Sequence, residues 1–558
     1  MNCDEPTDDP DREPAAADES ADSDAKPRST DARAVSRRIR GALPVDTRDR
    51  PWLVLAVLPG VVAVAIYLAT NAYPAHGAGL YAQIAVELLA NGYALPVRIP
   101  GYTATGVPFA YPPLQFYVFA VLLDLGADPI AVSRLLPGFA VVAASVPLYL
   151  LGRDIADSRP AGAAAAGLVA LNPQVLEWHV SAGGVVRAFG FLYAVVAIYA
   201  GYHIFTRTNR EEALPWRVIA FGAVAFGVTV LTHPVYALFV VVSYLVLWGT
   251  LHRTPRGLLS GLAVGLGGAL LAAPWLWWVV ATHGPGVFAV AAGTHGGIGG
   301  GADALRGSLS PGLVLAVPAV LYYLSRRSVF LPTWLVAAEL LFRQPRFAYT
   351  VASLLVPAAV AAFARAKAVG STAIGFGPRR ARDRRAAGAV ILILLGTVAG
   401  GAYFAHETTS PSDPSTPEYL DDDAVAATEW VASKTDADAT FVVLGDAAEW
   451  FPALSDRTIL VGPWGVEWES GDAYQRQVTA YETVSRCESV ACVEDVAAGV
   501  AGDPSHIYVP KDRYTVRGEL ATNSGTLVRS FERADGWERV YENDGVVIYE
   551  AVGDTDPR

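Results

Sequence analysis

The chain has 558 residues, of which 53% are hydrophobic and only 17% carry a charge, and its mean hydropathy is +0.33. This composition, with apolar stretches such as residues 51–70 and 257–280, excludes a soluble globular protein and predicts a polytopic membrane protein. Acidic residues outnumber basic residues by 54 to 42, and no nucleic-acid partner is expected.

Residues 1–45 form an acidic, proline-rich tail that ends in a basic juxtamembrane segment. Low hydrophobicity and high charge predict that the tail is disordered, and it shows no cleavable signal peptide. Lysine is rare and occurs only at Lys26, Lys367, Lys434 and Lys511. An acidic, arginine-rich and lysine-poor chain suits high salt, where carboxylates hold hydration, so we expect a haloarchaeal source.

Eleven apolar runs are candidates for crossing the membrane, which takes roughly 20 residues of helix. They cover about residues 52–70, 130–151, 160–176, 185–206, 217–232, 235–251, 257–281, 309–324, 328–342, 347–365 and 387–404. The basic stretch at 33–50 precedes the first run. Because positive residues flank membrane helices on the cytoplasmic side, the N-terminus is expected in the cytoplasm.

A further apolar run, Leu114 to Leu125, is too short to span. If it crossed the membrane, the basic loops would all move outside: residues 152–159, 207–217, 251–256, 325–327 and 379–385. We therefore interpret it as an interfacial or re-entrant helix. The loop 71–129 is then external, with two surface helices at 80–93 and 114–125, and an odd number of crossings places the C-terminus outside as well.

The predicted fold is thus an α-helical polytopic membrane protein with about 11 transmembrane helices in residues 50–405, followed by an exterior α/β domain at 406–558. In that domain, residues 421–435 and 473–484 have helical patterns. Strands are expected at 439–445, 457–463 and 505–510, and a hairpin at 537–551 turns at Asn543–Gly545. Cys487 and Cys492 are spaced for a disulfide in an oxidising exterior, although two buried thiols are equally compatible with the sequence.

The order of these features resembles the C-type glycosyltransferase superfamily, over about residues 50–365. The likeness rests on the first span, the external loop with two surface helices, the "YPPL" turn at 111–114, and the span that runs through "YLLGRDIADSRPAGAAAAGLVALNP" at 149–173. Within the superfamily it is nearest to dolichyl-phosphate-mannose protein mannosyltransferases and aminoarabinose transferases. The resemblance implies an enzyme that takes a sugar from a polyprenyl-phosphate carrier and attaches it to an acceptor on the outer face.

The sequence departs from this family at one position that matters for catalysis. The family places an acidic residue at the start of the first external helix, whereas this chain has His76, Gly77, Ala78 and Gly79 there. The "WWDYG" motif of oligosaccharyltransferases is also absent, and "VGPWGVEW" at 461–468 does not replace it. Either another group serves as the base, or the protein has lost the family reaction.

Four ionisable residues are candidate catalytic groups. His76 precedes the first surface helix, where it is a candidate base or metal ligand; the alternative is an ordinary exposed histidine in a loop. Glu87 lies within the same helix; the alternative is that it belongs to the polar face of an amphipathic helix. Glu177 and His179 stand two residues apart in the next external loop, where they would act as base and orienting group or as metal ligands. The cofactor is left unknown, with a divalent cation as one candidate.

Candidate substrate-binding residues are mainly arginines. Arg187 falls inside an apolar run and needs an anionic partner, for which a lipid phosphate or Glu177 is suitable. Arg343 and Arg346 fall on the predicted outer side, where a guanidinium grips phosphate or simply reaches lipid headgroups. Arg134 is a similar candidate. Tyr111 is also a candidate, and the two prolines after it are expected to fix the chain and present a helix N-terminus towards the cavity.

Three functions compete on this evidence. The first is transfer of a sugar from a polyprenyl-phosphate carrier to a glycan, protein or lipid, in the cell membrane and on its outer face. The second is a catalytically inactive subunit that binds the lipid-linked sugar, favoured by the missing acid. The third is a transporter, for which the sequence lacks two similar halves with broken helices. Partners implied by the resemblance are the lipid-linked sugar, membrane lipid and the acceptor.

Overall fold

Apolar helices make up the first two thirds of the chain. The computed structural model describes residues 46–207, 216–294, 311–342, 344–370, 399, 402–403, 406, 416–500, 502–523 and 525–552. The helices up to residue 370 are α1 (Arg50–Thr70), α2 (Gly79–Ala90), α3 (Leu114–Asp124), α4 (Pro129–Ala156), α5 (Arg159–Ala170), α6 (Pro173–Val180), α7 (Gly184–Arg207), α8 (Trp216–Val230), α9 (Pro234–Leu251), α10 (Pro255–His283), α11 (Gly286–Thr294), α12 (Val317–Ser325), α13 (Phe330–Leu341) and α14 (Pro345–Gly370). Short 3₁₀ turns occur at Thr47–Asp49 and Pro311–Ala316.

Six helices in the described ranges are long and apolar enough to cross a membrane, namely α1, α4, α7, α9, α10 and α14. They coincide with six of the predicted spans. The spans predicted at 160–176, 217–232, 309–324 and 328–342 correspond to shorter helices, and most of 387–404, like the acidic tail at 1–45, lies outside the described residues. A polytopic helical membrane fold is confirmed, while the count of eleven stays a prediction.

Local sequence signals explain where several helices begin. Asp128, Ser158, Asn172 and Thr254 each stand just before a helix, and each side chain accepts a hydrogen bond from a backbone N–H in the first turn. A proline follows at the first or second helical position in all four cases. The side chain pairs with a backbone N–H that would otherwise lack a partner. The proline has no N–H that would be left unpaired, so both residues favour a helix start.

The segment between α1 and α4 contains the two helices that the sequence predicts there. Between them, strands β1 (Arg98–Ile99) and β2 (Val107–Pro108) form a small antiparallel pair. Leu80, Ile84 and Leu88 are buried along one face of α2, as their helical spacing predicts. This face packs into the same hydrophobic core as the C-terminal sheet.

The C-terminal domain is built on a five-stranded sheet of order β4-β3-β5-β9-β8. Strands β3 (Thr440–Val443), β4 (Thr458–Ile459) and β5 (His506–Pro510) are parallel, whereas β8 (Trp537–Glu542) and β9 (Val546–Ala551) form the predicted antiparallel hairpin. A separate hairpin, β6 (Arg513–Val516) and β7 (Glu519–Thr522), was not predicted. The remaining elements are α15 (Asp422–Lys434), α16 (Phe451–Ser455), α17 (Gly471–Val484), α18 (Val490–Val500), α19 (Thr526–Phe531) and 3₁₀ turns at Asp446–Glu449 and Val466–Trp468. Cys487 and Cys492 form a disulfide with a Cα–Cα distance of 5.7 Å.

Backbone hydrogen bonds join this domain to the 71–128 segment. The His76 N–H donates to the Pro417 carbonyl at 3.0 Å, and the Ile459 N–H donates to the Gly101 carbonyl at 2.9 Å. The Tyr102 hydroxyl donates to the Glu449 carbonyl at 2.5 Å. The 3₁₀ turn that follows β3, and strand β4 itself, are therefore joined to the 71–128 segment.

Candidate active site

A cavity of about 700 Å³ lies where the membrane helices, the 71–128 segment and the C-terminal domain meet. One part of its wall is apolar and comes largely from the helices: Val230, Val235, Leu238, Leu276, Val287 and Phe288. Another part carries ionisable groups: His76, Arg187, Asp446, Glu449, Glu467 and Arg517. Aromatic rings also line the cavity, among them Tyr81, Tyr111, Trp178, Tyr419, Trp464 and Trp468.

Two carboxyl groups in the cavity come from the C-terminal domain. Glu449 ends the 3₁₀ turn after β3 and is 8% exposed, and Glu467 lies in the turn after β4 and is 7% exposed. Burial raises the pKa of Glu449 to about 8, assisted by nearby Asp446, while Arg187 and a hydrogen bond from Trp464 oppose the rise. Burial raises the pKa of Glu467 to about 7 against backbone hydrogen bonds. Both groups therefore titrate near neutral pH.

Asp446, on the same turn as Glu449, is already satisfied by hydrogen bonds. Its carboxylate accepts from the Tyr481 hydroxyl at 2.5 Å, from the Arg517 N–H at 2.8 Å and from the Gly518 N–H at 2.8 Å. The last two donors belong to the connection between β6 and β7. Asp446 thus fixes this hairpin beside the cavity.

Glu449 fills the space beside the two glycines that precede and start α2. A Cβ atom on Gly77 would lie 1.7 Å from Oε2 of Glu449, and a Cβ on Gly79 would lie 2.0 Å from its carbonyl oxygen. Neither glycine has a positive φ, so the backbone conformation itself accepts other residues. Glycine is needed at these positions because the Glu449 side chain and backbone occupy the space.

Arg187 lies in the first turn of α7, at the cavity wall. Its guanidinium carbon is 5.0 Å from the centre of the Trp178 ring. A Cβ at Gly183 would lie 2.1 Å from Nη1 of Arg187, so the glycine makes room for this side chain. A guanidinium at the N-terminal end of a helix suits an anionic ligand, because the helix dipole adds to its charge.

His76 and Tyr111, predicted from the sequence, also line the cavity. His76 has φ 58°, in the left-handed region that non-glycine residues seldom adopt, and its ring stacks on Trp178 with centroids 5.1 Å apart. Tyr111 packs against Trp468, with ring centroids 5.5 Å apart. The structure brings these two residues together with Arg187.

Three other predicted residues lie together beside the cavity, outside its lining. His179 is buried, with Nδ1 against the Val175 carbonyl and Nε2 2.5 Å from the Tyr236 hydroxyl. The guanidinium carbon of Arg346 lies 5.7 Å from the centre of the Tyr236 ring. The same guanidinium donates a hydrogen bond to the Gln344 side chain and interacts electrostatically with Glu177. Both ring nitrogens of His179 are therefore engaged in the packing of the bundle.

Arg134 and Glu87 also lie outside the cavity lining. Arg134 donates to the carbonyls of Leu68 at 2.6 Å and Asn71 at 3.0 Å, which caps the end of α1. Glu87 lies 3.4 Å from the Gln83 amide, and its pKa is raised by burial and by Asp456. Arg343 lies outside the described residues. Among the residues that the structure describes, no group of three or more His, Cys, Asp or Glu side chains is arranged to hold a metal ion.

Glu449 and Glu467 are not among the residues predicted from the sequence, although the segments that carry them have a recognisable placement. "GDAAEW" at 445–450 and "GPWGVEW" at 462–468 follow strands, and ligand sites in α/β folds often lie at the carboxyl ends of parallel strands. β3 and β4 are parallel neighbours, so the two turns meet at one edge of the sheet. Trp464 and Trp468 line the cavity, whereas Trp450 is fully buried.

A second cavity of about 760 Å³ lies on the other side of Tyr419 and Asp446, which line both cavities. It is bounded mainly by the C-terminal domain and has acidic side chains in its wall: Glu418, Asp421, Asp423, Asp512 and Asp544. The first cavity therefore has a neighbour on the side of the C-terminal domain.

The fold is similar to that of two proteins of known structure. The Archaeoglobus fulgidus oligosaccharyltransferase, solved with a tethered acceptor peptide containing the NVT sequon, matches with a TM-score of 0.52 and 15% identity over 82% of this chain and 69% of that chain. ArnT from Cupriavidus metallidurans, solved with bound undecaprenyl phosphate, matches with a TM-score of 0.51 and 15% identity over 89% of this chain and 98% of that chain. No protein-family model and no curated protein matches the sequence. The chain therefore resembles these two proteins in fold, in line with the resemblance drawn from the order of its sequence features.

Proposed function

We propose that this protein is a membrane glycosyltransferase that moves a sugar from a polyprenyl-phosphate carrier to a glycan, protein or lipid acceptor. The observation that carries the proposal is the 700 Å³ cavity, in which an apolar wall from the membrane helices meets Arg187 and two buried carboxyl groups. A lipid-linked sugar has parts that match these groups: an apolar chain, a phosphate and a polar ring.

The apolar wall suits the first prenyl units of the carrier. Val235 and Leu238 on α9 and Leu276 on α10 belong to helices long enough to span the membrane. Because the prenyl chain comes from the bilayer and not from water, close packing against these side chains would hold it. The bound undecaprenyl phosphate in the similar ArnT structure supports this assignment.

Arg187 is the proposed phosphate ligand. It lines the cavity, and a guanidinium binds two phosphate oxygens at once and stabilises the negative charge that grows as phosphate leaves. Of the arginines that the sequence predicts as phosphate ligands, Arg187 carries the proposal because Arg134 and Arg346 lie outside the lining and Arg343 outside the described residues.

The aromatic rings suit the sugar, and the second cavity suits the acceptor. Trp178, Trp464 and Trp468 offer faces on which a pyranose stacks. An acceptor would approach past Tyr419 and Asp446, which separate the two cavities. We place the C-terminal domain outside the cell and the N-terminus in the cytoplasm, so transfer takes place on the outer face.

The test uses purified protein and lipids from a strain that lacks the gene, because those lipids contain the unconsumed donor. With an envelope fraction from the same strain as acceptor, the native protein should release free polyprenyl phosphate, measured by mass spectrometry. Arg187→Ala should lower the rate at least tenfold. Arg187→Lys, which keeps the charge but loses the fork, should give an intermediate rate.

Arg326→Ala is the matched control, because Arg326 also lies over an aromatic ring, 5.6 Å from that of Tyr322, but outside the cavity. Its rate should equal that of the native protein. An inactive lipid-binding subunit predicts a different result: undecaprenyl phosphate would bind the native protein, and no donor would be consumed.

A further inference from the structure

Glu449 lies where an acceptor and a donor phosphate would meet. It comes from the C-terminal domain, yet its carboxylate lies against Gly77 at the start of the 71–128 segment. It shares the cavity with Arg187, and the two side chains interact electrostatically. The Trp464 side chain donates a hydrogen bond to the carboxylate, which favours its charged form.

We infer that Glu449 is the general base of the proposed glycosyl transfer, so the C-terminal domain completes the active site of the membrane domain. The inference rests on the proposed function and names a residue for its proton transfer. The acceptor oxygen forms a bond to the anomeric carbon, the bond from that carbon to the phosphate oxygen breaks, and polyprenyl phosphate leaves with the electron pair. The proton of the acceptor hydroxyl passes to the Glu449 carboxylate.

Three other ionisable groups in or beside the cavity are less suited to accept this proton. The Asp446 carboxylate already accepts three hydrogen bonds, and both ring nitrogens of His179 are engaged outside the lining. Glu467 accepts hydrogen bonds from two backbone N–H groups of its own turn. Glu449 has Trp464 as its side-chain donor, and its raised pKa makes it a stronger base than an ordinary carboxylate.

The glycine at position 77 offers a direct test. Since a Cβ there would lie 1.7 Å from Oε2 of Glu449, an aspartate at position 77 would place its side chain in the space that Glu449 now fills. Gly77→Asp alone should therefore clash and repel Glu449. In the double variant Glu449→Ala with Gly77→Asp, the carboxyl group returns to the same region from the other side of the interface.

The expected results form a pattern that a purely structural role would not produce. Glu449→Gln should lose at least 100-fold in transfer rate, the lower end of the usual contribution of a general base, while still binding undecaprenyl phosphate like the native protein. Glu449→Ala and Gly77→Asp should each be as impaired as Glu449→Gln. The double variant should recover at least tenfold over Glu449→Ala.

Glu469→Gln is the matched control. Glu469 comes directly after the 3₁₀ turn that contains Glu467, and its side chain is exposed, 3.5 Å from that of Arg98. It should transfer at the native rate. Native-like transfer by Glu449→Gln would overturn the inference and leave the proposed function intact, as would a double variant no better than Glu449→Ala. Absence of transfer by the native protein, with undecaprenyl phosphate bound, would overturn both.

Discussion

A Cβ atom on Gly183 would lie 2.1 Å from Nη1 of Arg187, four residues later in the chain. The guanidinium can therefore lie over Trp178 because Gly183 has no side chain that would occupy its space. Gly183→Ala should displace the guanidinium without removing it. We expect weaker binding of undecaprenyl phosphate, by about 1 kcal/mol or fivefold, since a misplaced guanidinium loses part of its charge-assisted hydrogen bonding.

The matched control for this variant is Gly249→Ala. A Cβ at Gly249 would meet no atom within 4 Å, and alanine favours a helix over glycine. Binding should be unchanged and thermal stability unchanged or slightly higher. Equal binding by Gly183→Ala and the native protein would show that the position of Arg187 over Trp178 is unimportant for phosphate.

The pH dependence of the transfer rate should reflect the ionisation of the Glu449 carboxyl group. Its pKa is raised to about 8 by burial and by Asp446, with Glu467 adding to the rise and Arg187 and Trp464 opposing it. The hydroxyls of Tyr81, Tyr102, Tyr419 and Tyr481 also interact with this carboxyl group. A base acts when deprotonated, so kcat/KM should rise with pH and level off above about pH 8. Residual transfer by Glu449→Gln should lack this rise; the same rise in that variant would assign it to another group.

Trp464 offers a way to move that pH profile without touching the carboxyl group. Its N–H donates to Glu449 and lowers the pKa of that carboxyl. Trp464→Phe keeps an aromatic ring but removes the donor, so the pKa of Glu449 should rise further and the rise in kcat/KM should move to higher pH. Trp277→Phe, at an exposed position on α10, is the control. A shift to lower pH would contradict the hydrogen bond.

The proposed orientation in the membrane can be tested with the three native cysteines. Cys487 and Cys492 are joined in the C-terminal domain, which leaves Cys3 as the remaining thiol. A membrane-impermeant maleimide should not label this protein in intact cells. It should label Cys3 once the membrane is permeabilised. After treatment with an impermeant reductant, intact cells should be labelled at Cys487 and Cys492. Labelling of Cys3 in intact cells would reverse the orientation.

Much of the fold was predictable because its signals are local. Runs of β-branched residues that end at turn residues predict β3, β5 and the β8–β9 hairpin. The helical spacing of apolar residues predicts α2. The β6–β7 hairpin was missed because "RYTVRGELAT" at 513–522 carries charge on both strands and looks like loop. Its position depends on the buried Asp446 carboxylate, which is a tertiary interaction.

The site was only partly predictable for the same reason. Arg187 was found because a charge in an apolar run is conspicuous, and the absence of an acid at 77–79 was visible in the sequence. The carboxyl group that lies beside Gly77 comes from Glu449, 372 residues later. A single sequence gives no sign of that pairing. His179, in contrast, attracted notice as an ionisable residue near the membrane, and in the structure its ring is held by Val175 and Tyr236.

The most direct test of the central claim is mass spectrometry of the lipids and surface glycans of cells that lack the gene. If the protein consumes a lipid-linked sugar, the ratio of sugar-charged to free polyprenyl phosphate should rise, and a surface glycan should lose the mass of one sugar. The native gene should restore both, and the Arg187→Ala gene should restore neither. Unchanged lipid-linked sugars and unchanged glycans in the deleted strain would contradict the account.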